Sequence, residues 1–142
     1  MTHNITITAP IKTISEANRK DYWRARAKRA KKQRIDAYWA VRSSGFEFKD
    51  GKLAFSAGHE KLIITLTRYG KRTMDDDNLA CALKAVRDGV ADAIGLDDGD
   101  QRIEWRYQQR IGDYAVKIDI WQAAKTSNPY KHFRYRRMEG KL

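Results

Sequence analysis

The chain has a single cysteine, Cys81, in 142 residues. No intramolecular disulfide can form, and a reducing, cytoplasmic setting is the expectation. No apolar run approaches the ~20 residues a helix needs to cross a bilayer. Met1 to Thr8 lack the charged start and apolar stretch of a secretory signal. There is no internal repeat and no low-complexity tract. Acid is also scarce: 18 Asp and Glu stand against 29 Lys and Arg, for a net charge of +11 and a pI near 9.9. Such a balance calls for a polyanionic partner, nucleic acid ahead of a membrane surface. Apolar residues make up 42% and aromatics 11%, enough for one folded domain with a single core.

Residues 5 to 9, Ile-Thr-Ile-Thr-Ala, alternate apolar and polar and predict a strand ended by Pro10. Thr13 and Glu16 have the spacing of a capping box, and a helix is expected from about Glu16 to Val41. Arg19 to Arg34 holds nine Lys and Arg and one acid, Asp21, with Tyr22, Trp23, Ala27 and Ala30 interleaved. Nearly unopposed positive charges repel one another along a helix, so phosphate contact through residues such as Arg24, Lys28 and Lys31 is expected. The plainer reading is a solvated helix face.

Asp50-Gly51 lies between Phe46-Glu-Phe48 and Leu53-Ala-Phe55 and predicts a hairpin, because a type I′ turn needs positive φ at both central positions. Lys61 to Arg68 is apolar enough for a central strand. Residues 102 to 109 and 114 to 121 alternate on either side of Ile111-Gly112-Asp113 and predict a second hairpin. From Lys125 to Leu142 the pattern is lost. Tyr130, Phe133 and Tyr135 there stand among basic residues, a composition suited to stacking on bases or to a disordered tail.

The scarce acid is concentrated in one stretch. Asp75, Asp76 and Asp77 precede a helical pattern, and Asp97, Asp98 and Asp100 follow it. Between them Leu79, Leu83, Val86, Val90 and Ile94 mark one buried face of a helix over 78–94. Lys84 and Asp88 point away from that face, one turn apart, and can pair. If the preceding strand continues to residue 77, Asp75 and Asp77 project to the same side. Two carboxylates so placed can share a divalent cation, with a carboxylate from the far end of the helix as a third ligand. Mg²⁺ suits such a site and would serve phosphodiester hydrolysis, with Lys84 stabilising charge on the phosphate. The competing reading is helix capping plus an ordinary turn, which accounts for one of the first three acids.

This order of residues resembles the RusA family of Holliday-junction resolvases. The likeness rests on Lys71 and Arg72, on Asp75-Asp-Asp77-Asn78-Leu79, on Lys84-Ala85-Val86-Arg87-Asp88, and on Asp97-Asp98 with Gln101. It covers residues 61 to 103. It implies a Mg²⁺-dependent endonuclease, with Mn²⁺ as a substitute, acting as a homodimer on four-way DNA junctions. Asp75 and Asp77 take the first two carboxylate positions and Lys84 the lysine position. Asp98 takes the third carboxylate position, with Asp97 and Asp100 as alternatives. Lys71 and Arg72 fall to DNA contact. Proteins of this kind are bacterial or phage-encoded.

The expected fold is α+β, a mixed, mostly antiparallel sheet of about five or six strands with two main helices packed on one face. Residues 1–124 form the expected endonuclease domain, and 125–142 a basic aromatic tail.

Overall fold

The computed structural model describes residues 3–16, 22–54 and 59–124. The expected tail, 125–142, lies outside them, as does Phe55. Strand β1 (His3–Ala9) leads to helix α1 (Trp23–Arg42), the short strands β2 (Phe48–Lys49) and β3 (Lys52–Leu53), and strand β4 (His59–Gly70). Helices α2 (Asp76–Ala82) and α3 (Lys84–Ile94) come next, then strands β5 (Ile103–Ile111) and β6 (Ala115–Ala124). The class is α+β as expected. A mixed four-stranded sheet of order β1-β6-β4-β5 carries one parallel pair, β4 with β5, and β2 and β3 form a separate two-stranded sheet.

The strands carry their apolar residues in rungs. Ile5, Ile120, Ile64 and Trp105 lie abreast across the sheet, and Ile7, Ile118, Leu66 and Tyr107 form the next rung. Every residue in these rungs faces α1 and α3, because alternation puts residues two apart on one side. Ile64, Leu66, Ile118 and Ile120 are fully buried with Val86, Val90 and Ile94 of α3 and Ala37 and Val41 of α1. Burying each such aliphatic side chain contributes about 1.5–3 kcal/mol. The third rung changes character. It runs Ala9, Val116, Arg68, Gln109, so two polar side chains replace apolar ones where β4 ends.

Several local expectations are corrected. Thr13 and Glu16 do not cap a helix. The Thr13 hydroxyl accepts from Arg68 Nε at 3.0 Å, Glu16 pairs with Arg29 at 2.6 Å, and α1 starts at Trp23. The helix expected over 78–94 is two, broken at Leu83 (φ −96°, ψ 1°), because the apolar spacing runs through the break without marking it. The second hairpin does not form. β6 lies between β1 and β4, while β5 pairs with the other edge of β4. Its short connection crosses the end of β4, where the Gly112 N–H donates to the Gly70 carbonyl at 3.0 Å. The Asp50-Gly51 hairpin is as expected, with φ of 53° and 77°.

Helix α3 ends in a Schellman motif. Gly95 takes φ 77°, its N–H reaches the Asp92 carbonyl, and the Leu96 N–H reaches that of Ala91. This reversal turns the chain back along α3 and carries residues 97–98 towards its start.

Candidate functional site

The polar rung positions the acidic turn. Arg68 Nη1 donates to the Arg72 carbonyl at 2.8 Å. The Gln109 amide brackets Met74, donating to its carbonyl at 2.7 Å and accepting from its N–H at 2.9 Å. In this way a side chain imitates a strand partner, and residues 71–74 are held although β4 has ended. Asp75 follows as the N-cap of α2, with Asp76 and Asp77 in the first turn. Strand β4 stops at Gly70, so the alternation expected to align Asp75 with Asp77 does not apply; both stand at a helix start instead.

The Asp75 side chain makes no capping hydrogen bond. Asp75, Asp76 and Asp77 are all exposed, and none has an ion-pair partner among the described residues. In a chain of net charge +11, three unpaired carboxylates in a row stand out. Interaction with the helix dipole favours acids here by about 0.3–1 kcal/mol each, and that is the plain structural account of Asp76.

The second acidic group is built differently. Lys84 Nζ lies 2.6 Å from Asp88 and 3.4 Å from Asp98. Arg87 Nε lies 3.3 Å from the same Asp98 oxygen, without an aligned hydrogen bond. The other nitrogens of Arg87 donate to the Asp98 carbonyl at 3.0 Å and to the Tyr107 hydroxyl at 2.7 Å. Its guanidinium stacks 4.8 Å from the Trp105 ring centre, and Trp105 Nε1 donates to the Asp98 carbonyl at 2.8 Å. Desolvation pushes the Asp98 carboxyl up, but Lys84 and Arg87 outweigh it and hold it below the usual range. Hydrogen bonding to Asp88 raises Lys84; partial burial opposes this and Asp98 adds to it. Trp105→Phe keeps a ring under Arg87 and removes one donor from the Asp98 carbonyl. It is expected to lower stability by about 1 kcal/mol and to speed amide exchange at residues 97–99, read by denaturant unfolding and hydrogen exchange.

Among the three alternatives for the third carboxylate, Asp98 is the one that faces Lys84. Asp97 is exposed. Asp100 is clasped by Arg102 through Nε at 3.0 Å, Nη2 at 2.9 Å and the backbone N–H at 2.9 Å. The Arg102 side chain, then its backbone N–H, pulls the Asp100 carboxyl down to about 2. Because the folded value lies below the unfolded one, near 3.9, this clasp stabilises the fold above about pH 4 and is lost as pH falls towards the folded value. A carboxyl NMR titration should show the Asp100 midpoint near 2, and Arg102→Gln should move it upward.

The donor chemistry suits a hard cation, since every ligand on offer is a carboxylate oxygen. Asp75 and Asp77 fit that role, being exposed and unpaired. Asp98 lies between two cationic side chains instead, and among the described residues no three His, Cys, Asp or Glu side chains form a group able to hold a metal. The structure therefore brings Lys84 and Asp98 together, and among the described residues Asp75, Asp77 and Asp98 do not form one metal-holding group.

No family model matches the chain, and no solved structure matches it. It has a relative in Xylella fastidiosa (strain Temecula1 / ATCC 700964). That uncharacterized protein is 33% identical over 95 residues, which are 67% of this chain and 60% of the relative. The chain thus spans less than two thirds of the relative's length.

The expected DNA-contacting residues are all exposed: Arg24, Lys28 and Lys31 on α1, and Lys71 and Arg72 past the end of β4. Arg24 stacks 5.2 Å from the exposed Trp23 ring. Lys71 pairs with Asp113 at 2.9 Å. Among the described residues, no helix is long and apolar enough to cross a membrane. Sequence reasoning missed Arg68, Gln109, Arg87, Trp105 and Tyr107. One signal was available for Arg68, which falls on the inward register of an apolar strand, where a charge is out of place.

Proposed function

We propose that this chain is a Mg²⁺-dependent, structure-selective endodeoxyribonuclease. It resolves four-way DNA junctions by paired phosphodiester hydrolysis, as a homodimer in the cytoplasm of a bacterium or of a phage-infected cell, in recombination and repair. The observation that supports this best is the placement of Asp75 and Asp77. A parallel β4–α2–α3–β5 crossover delivers two unpaired carboxylates to a turn fixed by Arg68 and Gln109, within a strongly basic protein. Asp75 and Asp77 would hold the metal, with Mn²⁺ as a substitute. A bound Mg²⁺ supplies an activated water and charge neutralisation at the phosphate.

The chain's own residues then do the rest. Lys84 is kept protonated by Asp88 and Asp98 and serves as a fixed positive charge towards the phosphate. Arg87 and Trp105 fix the Asp98 turn and so fix Lys84. The basic surface, with Lys71, Arg72 and α1, offsets repulsion between the carboxylates and DNA.

A second reading is a non-catalytic, basic nucleic-acid-binding protein. The double ion pairing of Asp98 favours it, because that carboxylate is then already neutralised. A synthetic four-way junction incubated with Mg²⁺, with Mn²⁺ and with chelator separates the two. Paired nicks that require metal are expected. Salt-dependent binding without cutting in either metal would establish the second reading.

A further inference from the structure

Among the described residues, Arg68 is the one charged side chain in the buried class, 4% exposed. Among the described residues no carboxylate bonds to it. Its partners are neutral oxygens: the Thr13 hydroxyl at 3.0 Å, the Thr13 carbonyl at 3.3 Å and the Arg72 carbonyl at 2.8 Å. Gly70 makes room for it; a Cβ there would come within 2.5–2.7 Å of the guanidinium. Burying a guanidinium without an anion is costly, and here burial lowers its pKa.

Two more cations gather at the same end of the sheet. Lys12 Nζ sits 4.8 Å from the centre of the Tyr114 ring, and Lys71 Nζ sits 6.0 Å from it. Tyr114 lies two residues before Val116, the cross-strand neighbour of Arg68. Among the described residues the acid in this group is Asp113, which is fully exposed and pairs with Lys71. Lys12 and Lys71 thus converge on one ring at the end of the sheet where Arg68 is buried, with Asp113 the one carboxylate found there among the described residues. An anion held here would relieve the repulsion among these charges.

We infer that Lys12, Lys71 and the Tyr114 ring, over the buried Arg68, form a binding site for a phosphodiester of the nucleic-acid backbone. It rests on the proposed function only for the choice of nucleic acid, and it involves neither the aspartates nor a metal. The lysines supply point charges, and Arg68 supplies a fixed positive potential from beneath, while its hydrogen bonds tie the site to the turn before Asp75.

The test uses the full chain with chelator, so that cutting plays no part. Binding of a short DNA duplex is followed by anisotropy across a salt series for the parent, for the double variant Lys12→Gln with Lys71→Gln, and for Lys49→Gln on the β2–β3 hairpin. Both lysine substitutions leave Arg68 and its hydrogen bonds in place. The double variant should weaken binding uniformly across sequences and lower the slope of log K against log salt by about 2, with Lys49→Gln leaving the slope unchanged. At matched ionic strength, inorganic phosphate should displace duplex more effectively than chloride from the parent and no better than chloride from the double variant. An unchanged slope in the double variant overturns the site. So does a Lys49→Gln effect as large per lysine, or displacement by phosphate that ignores the substitutions. A parent that never cuts junctions in any metal would fail the proposed function and leave these slopes readable.

Discussion

Asp77→Asn is expected to bind a four-way junction as tightly as the parent, or more tightly, and to cut it about 100-fold more slowly or worse. The substitution preserves shape and removes one charge. Asn is tolerated at a helix start, so α2 should still form, and the unfolding midpoint should barely move. The lost charge is a repulsion towards DNA, so affinity holds or rises. Cutting falls because a hard cation loses a carboxylate ligand; partners one shell further out already change metal affinity or activity by about 10–100-fold. Asp76→Asn makes the same charge change in the same turn and should cut near the parental rate. Junction cleavage under single-turnover conditions, beside gel-shift affinity in chelator, reads both quantities. If Asp77→Asn cuts as well as the parent, the assignment of Asp77 is wrong.

Gly89→Ala is expected to destabilise the protein by about 2 kcal/mol, although alanine is the better helix former by about 1 kcal/mol. Helices α1 and α3 cross at this residue. A Cβ on Gly89 would lie 2.2 Å from the Arg34 carbonyl oxygen and 2.9 Å from the Ala37 Cβ. The first neighbour is backbone, so no rotamer change relieves it, and the helices must separate. Overpacking of this kind costs about 1–3 kcal/mol and sometimes more, and the same shift would strain the Arg34–Asp92 pair beside it, now at 2.6 Å. At roughly 4 °C per kcal/mol for a chain of this size, the unfolding midpoint should fall by about 8 °C. An unchanged or raised midpoint would mean that α1 does not pack this closely on α3.

These two residues show what was legible. The faces of the strands could be read, because apolar alternation at Ile5, Ile64, Ile118 and Ile120 is a local property of each strand. Their neighbours could not. Period-2 patterning says which side a residue faces and nothing about which strand lies beside it, so β5 and β6 read as a hairpin while β4 separates them. The break at Leu83 was invisible because its side chain is buried whether the helix bends or continues. The acids were conspicuous by charge. The side chains that hold them were not, since Gln109 matters through two hydrogen bonds to the backbone of a residue 35 positions away. Close approach at Gly89 left no signal either, because a helical glycine alone does not name the backbone it faces.

The strand order also constrains when this protein can fold. β1, at the start of the chain, pairs with β6, at the other end of the sheet-forming sequence; Thr6 and Asp119 meet across 113 positions. β6 is at the same time the second neighbour of β4. During synthesis β4, the two helices and β5 can assemble as a crossover unit, but the slot beside β4 stays open until the segment up to residue 124 has left the ribosome. Until then β1 has no partner strand, and both it and the vacant edge of β4 present unpaired backbone. Such long-range closure predicts slow folding for the size of the chain, and truncation within β6 should leave an aggregation-prone species rather than a smaller folded domain.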